Sequence, residues 1–255
     1  MTTLLAHEVR WDLIAMFRNK RARFFTLAFP LLLLVILVGI AKGGTATVGG
    51  TQTTLRQFFV GGILALSLLS ACYAALVGTV VSEREYGVLK RRRATPVPAW
   101  IVVAAQAIAT LVVAIASTVI LLVVARVLYG VGTSPAGLAV VALAVVAGGL
   151  AFSCVAYAVA SLIPNVDAAQ PAVQLTILPL YFISGIWFST DQLPDALQTI
   201  AHWLPVEPLA DVLHHAFLNQ TVNAGDLAVL AAWAVLGLLV AVRRFSWLPR
   251  EVAAA

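Results

Sequence analysis

Charge is what this chain has least of. Only 11% of its 255 residues are Asp, Glu, Lys or Arg, against roughly 25% in an ordinary soluble domain. A surface facing water on every side is therefore excluded, and the mean hydropathy of +0.99 agrees. Cysteine is scarce too. Cys72 and Cys154 lie apart, each inside an apolar run, which argues against a disulfide framework and against C-x-x-C metal binding. No G-x-x-x-x-G-K-[ST] loop, G-x-S-x-G elbow or H-E-x-x-H pair occurs, so the chain has no phosphate loop of its own and no recognisable hydrolase machinery. Ionisable residues are nearly absent from the apolar runs, where an ion-coupled carrier usually keeps its carboxylates.

What is present is apolar length. Six stretches stand out, residues 24–40, 58–81, 100–125, 136–163, 171–188 and 227–242. Crossing a bilayer takes about 20 residues of helix, and a chain in lipid must satisfy its backbone internally. The expectation is an all-α, polytopic membrane protein with six transmembrane helices in one domain, 1–255. The first stretch follows a long, mixed-charge segment and no cleavage site, so it reads as a retained helix rather than a signal peptide.

Sixteen Lys and Arg against eleven Asp and Glu leave a net charge of +5. The basic residues cluster beside apolar runs, so they point to membrane orientation and not to nucleic acid. With the N-terminus in the cytoplasm, Arg10, Arg18, Lys20, Arg21, Arg23, Arg84, Lys90, Arg91, Arg92, Arg93, Arg243, Arg244 and Arg250 lie inside. Only Lys42, Arg56 and Arg126 remain outside. Both termini are then cytoplasmic, in the plasma (inner) membrane.

Three hydrophilic pieces remain. Residues 1–23 place Leu5, Val9, Leu13 and Phe17 near one face of an amphipathic, interfacial helix. Residues 43–50 read as a flexible external loop. Residues 189–225 form a long external segment in which Pro194, Leu197, Ile200, Ala201 and Leu204 fit a short amphipathic helix, with Trp187 and Trp203 as interfacial anchors. His202, His214, His215, Glu207 and Asp211 share that segment. Asp211 and His215 stand at i, i+4, but without a supporting motif they read as ordinary polar residues, and no resident metal is expected. The mildly polar residues of the spans, Ser67, Ser70, Tyr73, Gln106, Ser117, Thr118, Ser153, Tyr157, Gln174 and Thr176, serve helix packing, with a minority left to line a path.

Between the second and third stretches, Ser82-Glu83-Arg84-Glu85 fits a capping box that opens a short cytoplasmic helix. Gly87 lies in its middle and Lys90, Arg91, Arg92 and Arg93 at its end, as the helix dipole prefers. Thr95-Pro96 stops it. A basic loop that merely sets topology is the alternative. A compact helix protruding from the membrane suits docking to a cytoplasmic partner.

The run Glu83-Arg84-Glu85-Tyr86-Gly87-Val88-Leu89-Lys90, closing on Thr95-Pro96, resembles the cytoplasmic signature of type-2 ATP-binding-cassette exporter permeases, a family that includes drug-resistance and polysaccharide-export permeases. Downstream, Phe182-Ile183-Ser184-Gly185 with Trp187-Phe188, then Leu193-Pro194 and Leu204-Pro205 before Asp211, is similar to the family's fifth-span end and external hairpin. Pro30 in the first span also fits. The unbroken basic run 90–93 departs from the pattern, since relatives often keep an apolar residue there. The resemblance implies a permease that pairs with a second permease subunit and with a separate ABC ATP-binding subunit carrying ATP and Mg. It implies a coupling element at Ser82, Glu83, Glu85, Gly87, Leu89, Lys90, Thr95 and Pro96. It also implies an external gate, a re-entrant helical hairpin, at Ser184, Gly185, Trp187, Pro194 and Pro205. The substrate class implied is amphiphilic or hydrophobic: a drug, lipid or glycoconjugate. A secondary carrier or channel not powered by ATP is the competing function, and an intramembrane enzyme or structural subunit a weaker one.

Overall fold

Apolar runs this continuous can satisfy their backbone only as helices, and that is the form they take. The computed structural model describes residues 1–95, 97–218 and 222–247. An N-terminal helix α1 (Thr2–Arg18) precedes α2 (Phe24–Ile40), and a two-stranded hairpin, β1 (Thr45–Val48) and β2 (Thr51–Thr54), leads to α3 (Leu55–Glu85). The short α4 (Val88–Arg93) follows, then α5 (Ala99–Tyr129), α6 (Pro135–Leu162) and α7 (Val166–Ile183). Two short helices, α8 (Asp195–Trp203) and α9 (Val206–Leu218), precede the last long one, α10 (Ala224–Arg244).

Four of these, α3, α5, α6 and α10, are long and apolar enough to cross a bilayer. The other two apolar runs also fold as helices. α2 is shorter, and α7 has 18 residues that include Asp167, Gln170, Gln174, Pro171 and Pro179. The core sits where α3 passes through the bundle: 83% of its most apolar window is buried, against 22% for α10.

Small and hydroxylated residues set the helix contacts. A β-carbon on Gly237 of α10 would lie 2.7 Å from the backbone of Cys154 and Val155 in α6, so the two helices meet backbone to backbone. Cys154 and the buried Cys72 are both free thiols. In α2, Pro30 has no N–H to offer the Thr26 carbonyl four residues earlier. The Ser117 hydroxyl of α5 approaches that carbonyl at 3.4 Å, and Ser117 lies 2.7 Å from Ser67 of α3. The proline's missing donor is thus replaced from a neighbouring helix.

Two local expectations are corrected. Residues 43–50 are not a plain loop, because Thr45 pairs with Thr54 and Val48 with Thr51 across a turn at Gly49-Gly50, both with positive φ. That is the tight turn strands prefer, and it adds a small sheet to a structure that is otherwise helical among the described residues. The capping box is the other. It lies at Thr54 and Gln57, opening α3. Ser82 and Glu85 sit instead in the last turns of α3, where Ser82 Oγ donates back to Gly78 O at 2.7 Å.

Candidate functional site

Two groups of interacting polar residues lie at the two ends of α3. At the first end, α3 stops at Tyr86 and Gly87, and Gly87 takes φ +68°, a left-handed conformation that favours glycine. The chain bends there and α4 departs as a separate helix. Gly87 is the joint, not the middle of one helix. Leu89 is buried beneath α4, while Lys90, Arg91 and Arg93 are exposed and Tyr86 projects from the bend, 69% exposed. Thr95, also exposed, closes α4 by donating to Arg92 O at 2.6 Å. Pro96 lies outside the described residues.

Arg92 turns inward and ties α4 to the bundle. It bonds Asp12 of α1 at 2.7 Å, with Glu8 at 3.6 Å and Glu83 of α3 at 3.8 Å. One cation thus faces three carboxylates. Burial pushes the Asp12 carboxyl up, against the hydrogen bond and charge of Arg92. Glu83 accepts from Gln106 of α5, which in turn accepts from the Tyr157 hydroxyl of α6 at 2.6 Å. A polar chain therefore runs from α1 and α4 through α3 and α5 to α6.

The two residues that follow Glu83 clamp the junction between α6 and α7. Arg84, 1% exposed, donates to the carbonyls of Ala160, Ile163 and Pro164 at the end of α6. Glu85 accepts from Val166 N at the start of α7. Arg84 is thus an internal cap and not a surface cation placed by topology.

At the other end of α3, Gly61 and Gly62 open a notch. A β-carbon at Gly62 would overlap the carbonyl of Ile186, and one at Gly61 would overlap the His214 ring. Ile186 belongs to the non-helical segment after α7, where Ser184 is buried, Gly185 has φ +74° and Trp187 is half-buried. Ser189 donates to Thr47 of the β-hairpin. Pro194 is exposed and precedes α8, and Pro205 is buried immediately before α9. Ser184, Gly185 and Trp187 lead into α8, Pro205 separates α8 from α9, and α9 packs on α3 and α6. His214 stacks on Phe58 at 4.8 Å and donates to its carbonyl at 3.1 Å. Burial holds its pKa down at about 4, so the ring is neutral at pH 7.

Further along α9, His215 Nδ1 lies 3.2 Å from Asp211 Oδ2, without the alignment of a hydrogen bond. Contact with Asp211 pushes His215 up; burial of Asp211 opposes ionisation, but the pairing wins and holds its pKa down. Asp226 of α10 completes this group, and its carboxylate is fully buried. Sequence reading missed Asp226, which is 11 positions beyond His215 and looks like an ordinary first-turn acid.

Between the two ends lies a cavity of about 970 Å³. Its walls include Asp12, Glu83 and Gln106 near α4, Gln174 and Tyr181 on α7, and Trp187 beyond it. Of the polar span residues, Ser70, Gln106 and Gln174 line this space, whereas Ser67 and Ser117 bond each other and serve packing.

The chain is similar to the Nodulation protein J of Rhizobium leguminosarum bv. viciae, 35% identical over 94 residues, 36% of each chain. It is likewise similar to the Nodulation protein J of Bradyrhizobium diazoefficiens, 31% over 99 residues and 38% of each chain. The Neorhizobium galegae protein of that name is 33% identical over 96 residues, 37% of each. These alignments span little more than a third of the relatives' length. The profile of the ABC-2 type transporter family, by contrast, matches residues 4–218. That match takes in α1, the α3–α4 bend and the α8–α9 hairpin as parts of one architecture, and the chain belongs to the ABC-2 type transporter family.

Proposed function

We propose that this chain is the membrane permease of an ATP-driven exporter, with both termini in the cytoplasm and six spans, α2 and α7 being the two shorter ones. ATP and Mg are bound by a separate ABC subunit that docks on α4 and on the exposed Tyr86, Lys90 and Thr95 around it; Pro96 belongs to the same segment. A second permease subunit covers the apolar stripe of Leu175, Leu178 and Phe182 on α7, all exposed in the single chain. The plasma membrane is its place.

One observation carries the reading. Helix α3 meets α4 at Glu83 and through the bend at Gly87, and at its other end meets Ile186 at Gly62 and His214 of α9 at Gly61. Residues 62 and 83 are separated by about 30 Å of helix, the thickness of a bilayer core. Force applied to α4 reaches α3 through the bend and through Arg92, and arrives at Ile186 and His214 along one continuous helix whose middle, Leu69–Ala75, is wound as a π-helix. The segment around Ser184, Gly185 and Trp187, with the hairpin between Pro194 and Pro205 and on to α9, acts as the external gate.

The cavity between them suits an amphiphile. Its polar end, at Asp12, Glu83 and Gln106, would meet a headgroup or glycan, and Phe25, Phe29 and Leu66 would meet an apolar tail. Its volume falls at the upper end of ordinary ligand sites, about 300–1,000 Å³. A lipid or glycoconjugate fits better than a small ion.

The test is a complex with its ABC subunit in proteoliposomes. Glu83→Ala with Gly87→Leu is expected to leave insertion and assembly intact while substrate-stimulated ATP hydrolysis and transport both fall. Gly87→Asn, whose side chain tolerates positive φ, should retain more coupling than Gly87→Leu. Full coupling in the double variant would reduce α4 to a topological loop.

A further inference from the structure

The carboxylate of Asp226 is buried without a hydrogen bond. The residue is 0% exposed, and neither oxygen has a hydrogen-bond partner. Leaving an ionised carboxylate buried and unpaired is costly, and the first turn of α10 offsets only part of this through its dipole. Two ligand-type side chains converge on the same point from α9. Asp211 and His215 stand one helical turn apart on one face, and one ligand atom from each of the three residues lies within 4.8 Å of the other two. His215 Nδ1 is also without a hydrogen bond. The three groups thus offer two carboxylates and one imidazole, aimed at one space and under-satisfied by protein.

We propose that Asp211, His215 and Asp226 bind one divalent transition-metal cation of the zinc class, which staples α9 to α10. Two carboxylates with an imidazole suit zinc, whereas calcium and magnesium prefer oxygen ligands alone. Ligand atoms around one zinc lie about 3.4 Å apart in tetrahedral geometry, a closure that side-chain rotation supplies. All three residues stand on helices, so the backbone need not reorganise. The staple joins the hairpin that packs against α3 to the last span, and it holds whatever the chain transports.

The competing account is a proton shared between Asp211 and Asp226, with no metal. The test uses the full chain in detergent, stripped with EDTA and titrated with ZnCl2, with CoCl2 as a spectroscopic probe and MgCl2 as the control. One Zn²⁺ per chain is expected, with a rise in unfolding temperature of roughly 5 °C or more at a hundredfold excess over Kd. Co²⁺ should produce visible bands of low coordination number. Asp226→Asn and His215→Gln should each weaken Zn²⁺ binding at least ~10-fold, while His7→Ala leaves it unchanged. Wild-type zinc affinity in both site variants would overturn the proposal, and so would the absence of saturable binding. A stabilising Asp226→Asn in protein that ignores zinc would assign the site to the shared proton. Should both variants fail to fold, X-ray absorption of the zinc-loaded wild type decides. One nitrogen in the shell with carboxylate oxygens is expected, and an all-oxygen shell contradicts it.

Discussion

Arg84 and Ala160 meet across 76 residues of sequence, the guanidinium of one donating at 3.0 Å to the carbonyl of the other. With its further bonds to Ile163 and Pro164, Arg84 satisfies the free carbonyls that end α6. Arg84→Met should therefore destabilise the protein by about 1–3 kcal/mol, the scale of stranded buried acceptors. Arg84→Lys, with a single ammonium in place of the planar fork, should recover only part of this. Thermal unfolding in detergent reads both. Cysteine labelling of the loops should show unchanged orientation, because Arg84 faces the interior.

Arg92 and Asp12 bind α4 to the N-terminal helix, and the pair should behave as a unit. A double-mutant cycle of Asp12→Ala and Arg92→Ala is expected to give a coupling of about 1–3 kcal/mol, since loss of Arg92 leaves the buried Asp12 without its cation, while loss of Asp12 leaves Arg92 only the more distant Glu8 and Glu83. Arg91→Ala and Arg93→Ala, both at exposed positions, should stay within about 0.5 kcal/mol of wild type. Equal effects at all three arginines would mean that α4 is held by its overall charge.

The long helices were legible because their signal is composition over many residues, and the short basic helix α4 was legible because its charge run and its Thr-Pro stop are local. Its internal register was not. Ser82 and Glu85 match a capping box in spacing, but an apolar run already in helical form precedes them, and a helix continuing through Ser82 uses the hydroxyl on its own carbonyl four residues back. Gly87 then marks the true break, as a positive φ residue. The hairpin at Thr45–Val48 and Thr51–Thr54 was hidden by its brevity, though Gly49-Gly50 between Thr-rich strands is its signature. Burial of Asp12, Arg84 and Asp226 depends on which helices pack together. No window of sequence contains that. For α2 and α7, the runs are apolar but short or interrupted by Gln and Pro, so composition alone marks them less firmly than their neighbours.

Asp12 should also leave a mark on the pH dependence of stability. Its carboxyl is raised by burial in the fold, from an ordinary value of about 3.9. Between that value and the raised one, the folded chain keeps a proton that the unfolded chain has released. Stability contributed by this group therefore falls as pH rises through the window, and the full penalty persists above it. Relative to Asp12→Asn, the wild type should gain stability as pH is lowered from 7 to 4. Arg92→Met removes the partner that opposes the rise, and should widen the window upward. A difference between wild type and Asn that is flat across this range would place the carboxylate in water.

The glycines of α3 separate contact from composition most cleanly. Gly61, Gly62 and Gly78 lie in the same helix, and a helix-wide propensity argument would make alanine equally favourable at all three. Their surroundings differ. At Gly78 an added β-carbon meets nothing within 4 Å, whereas at Gly62 it overlaps the Ile186 carbonyl and at Gly61 the His214 ring. Gly78→Ala should then be neutral or stabilising by about 0.4–1 kcal/mol. Gly62→Ala should cost about 1–3 kcal/mol, because a backbone carbonyl cannot move aside without shifting the whole segment. Gly61→Ala should fall between, since the His214 ring is a side chain but is pinned by Phe58. If the segment from Ser184 to Trp187 gates transport, Gly62→Ala should also lower transport more than ATP hydrolysis, while Gly78→Ala changes neither. Unfolding curves and a transport assay on the same three variants supply the comparison. Equal behaviour of Gly62→Ala and Gly78→Ala in both would remove the contact between α3 and the closing segment, and with it the path from α4 to the far side.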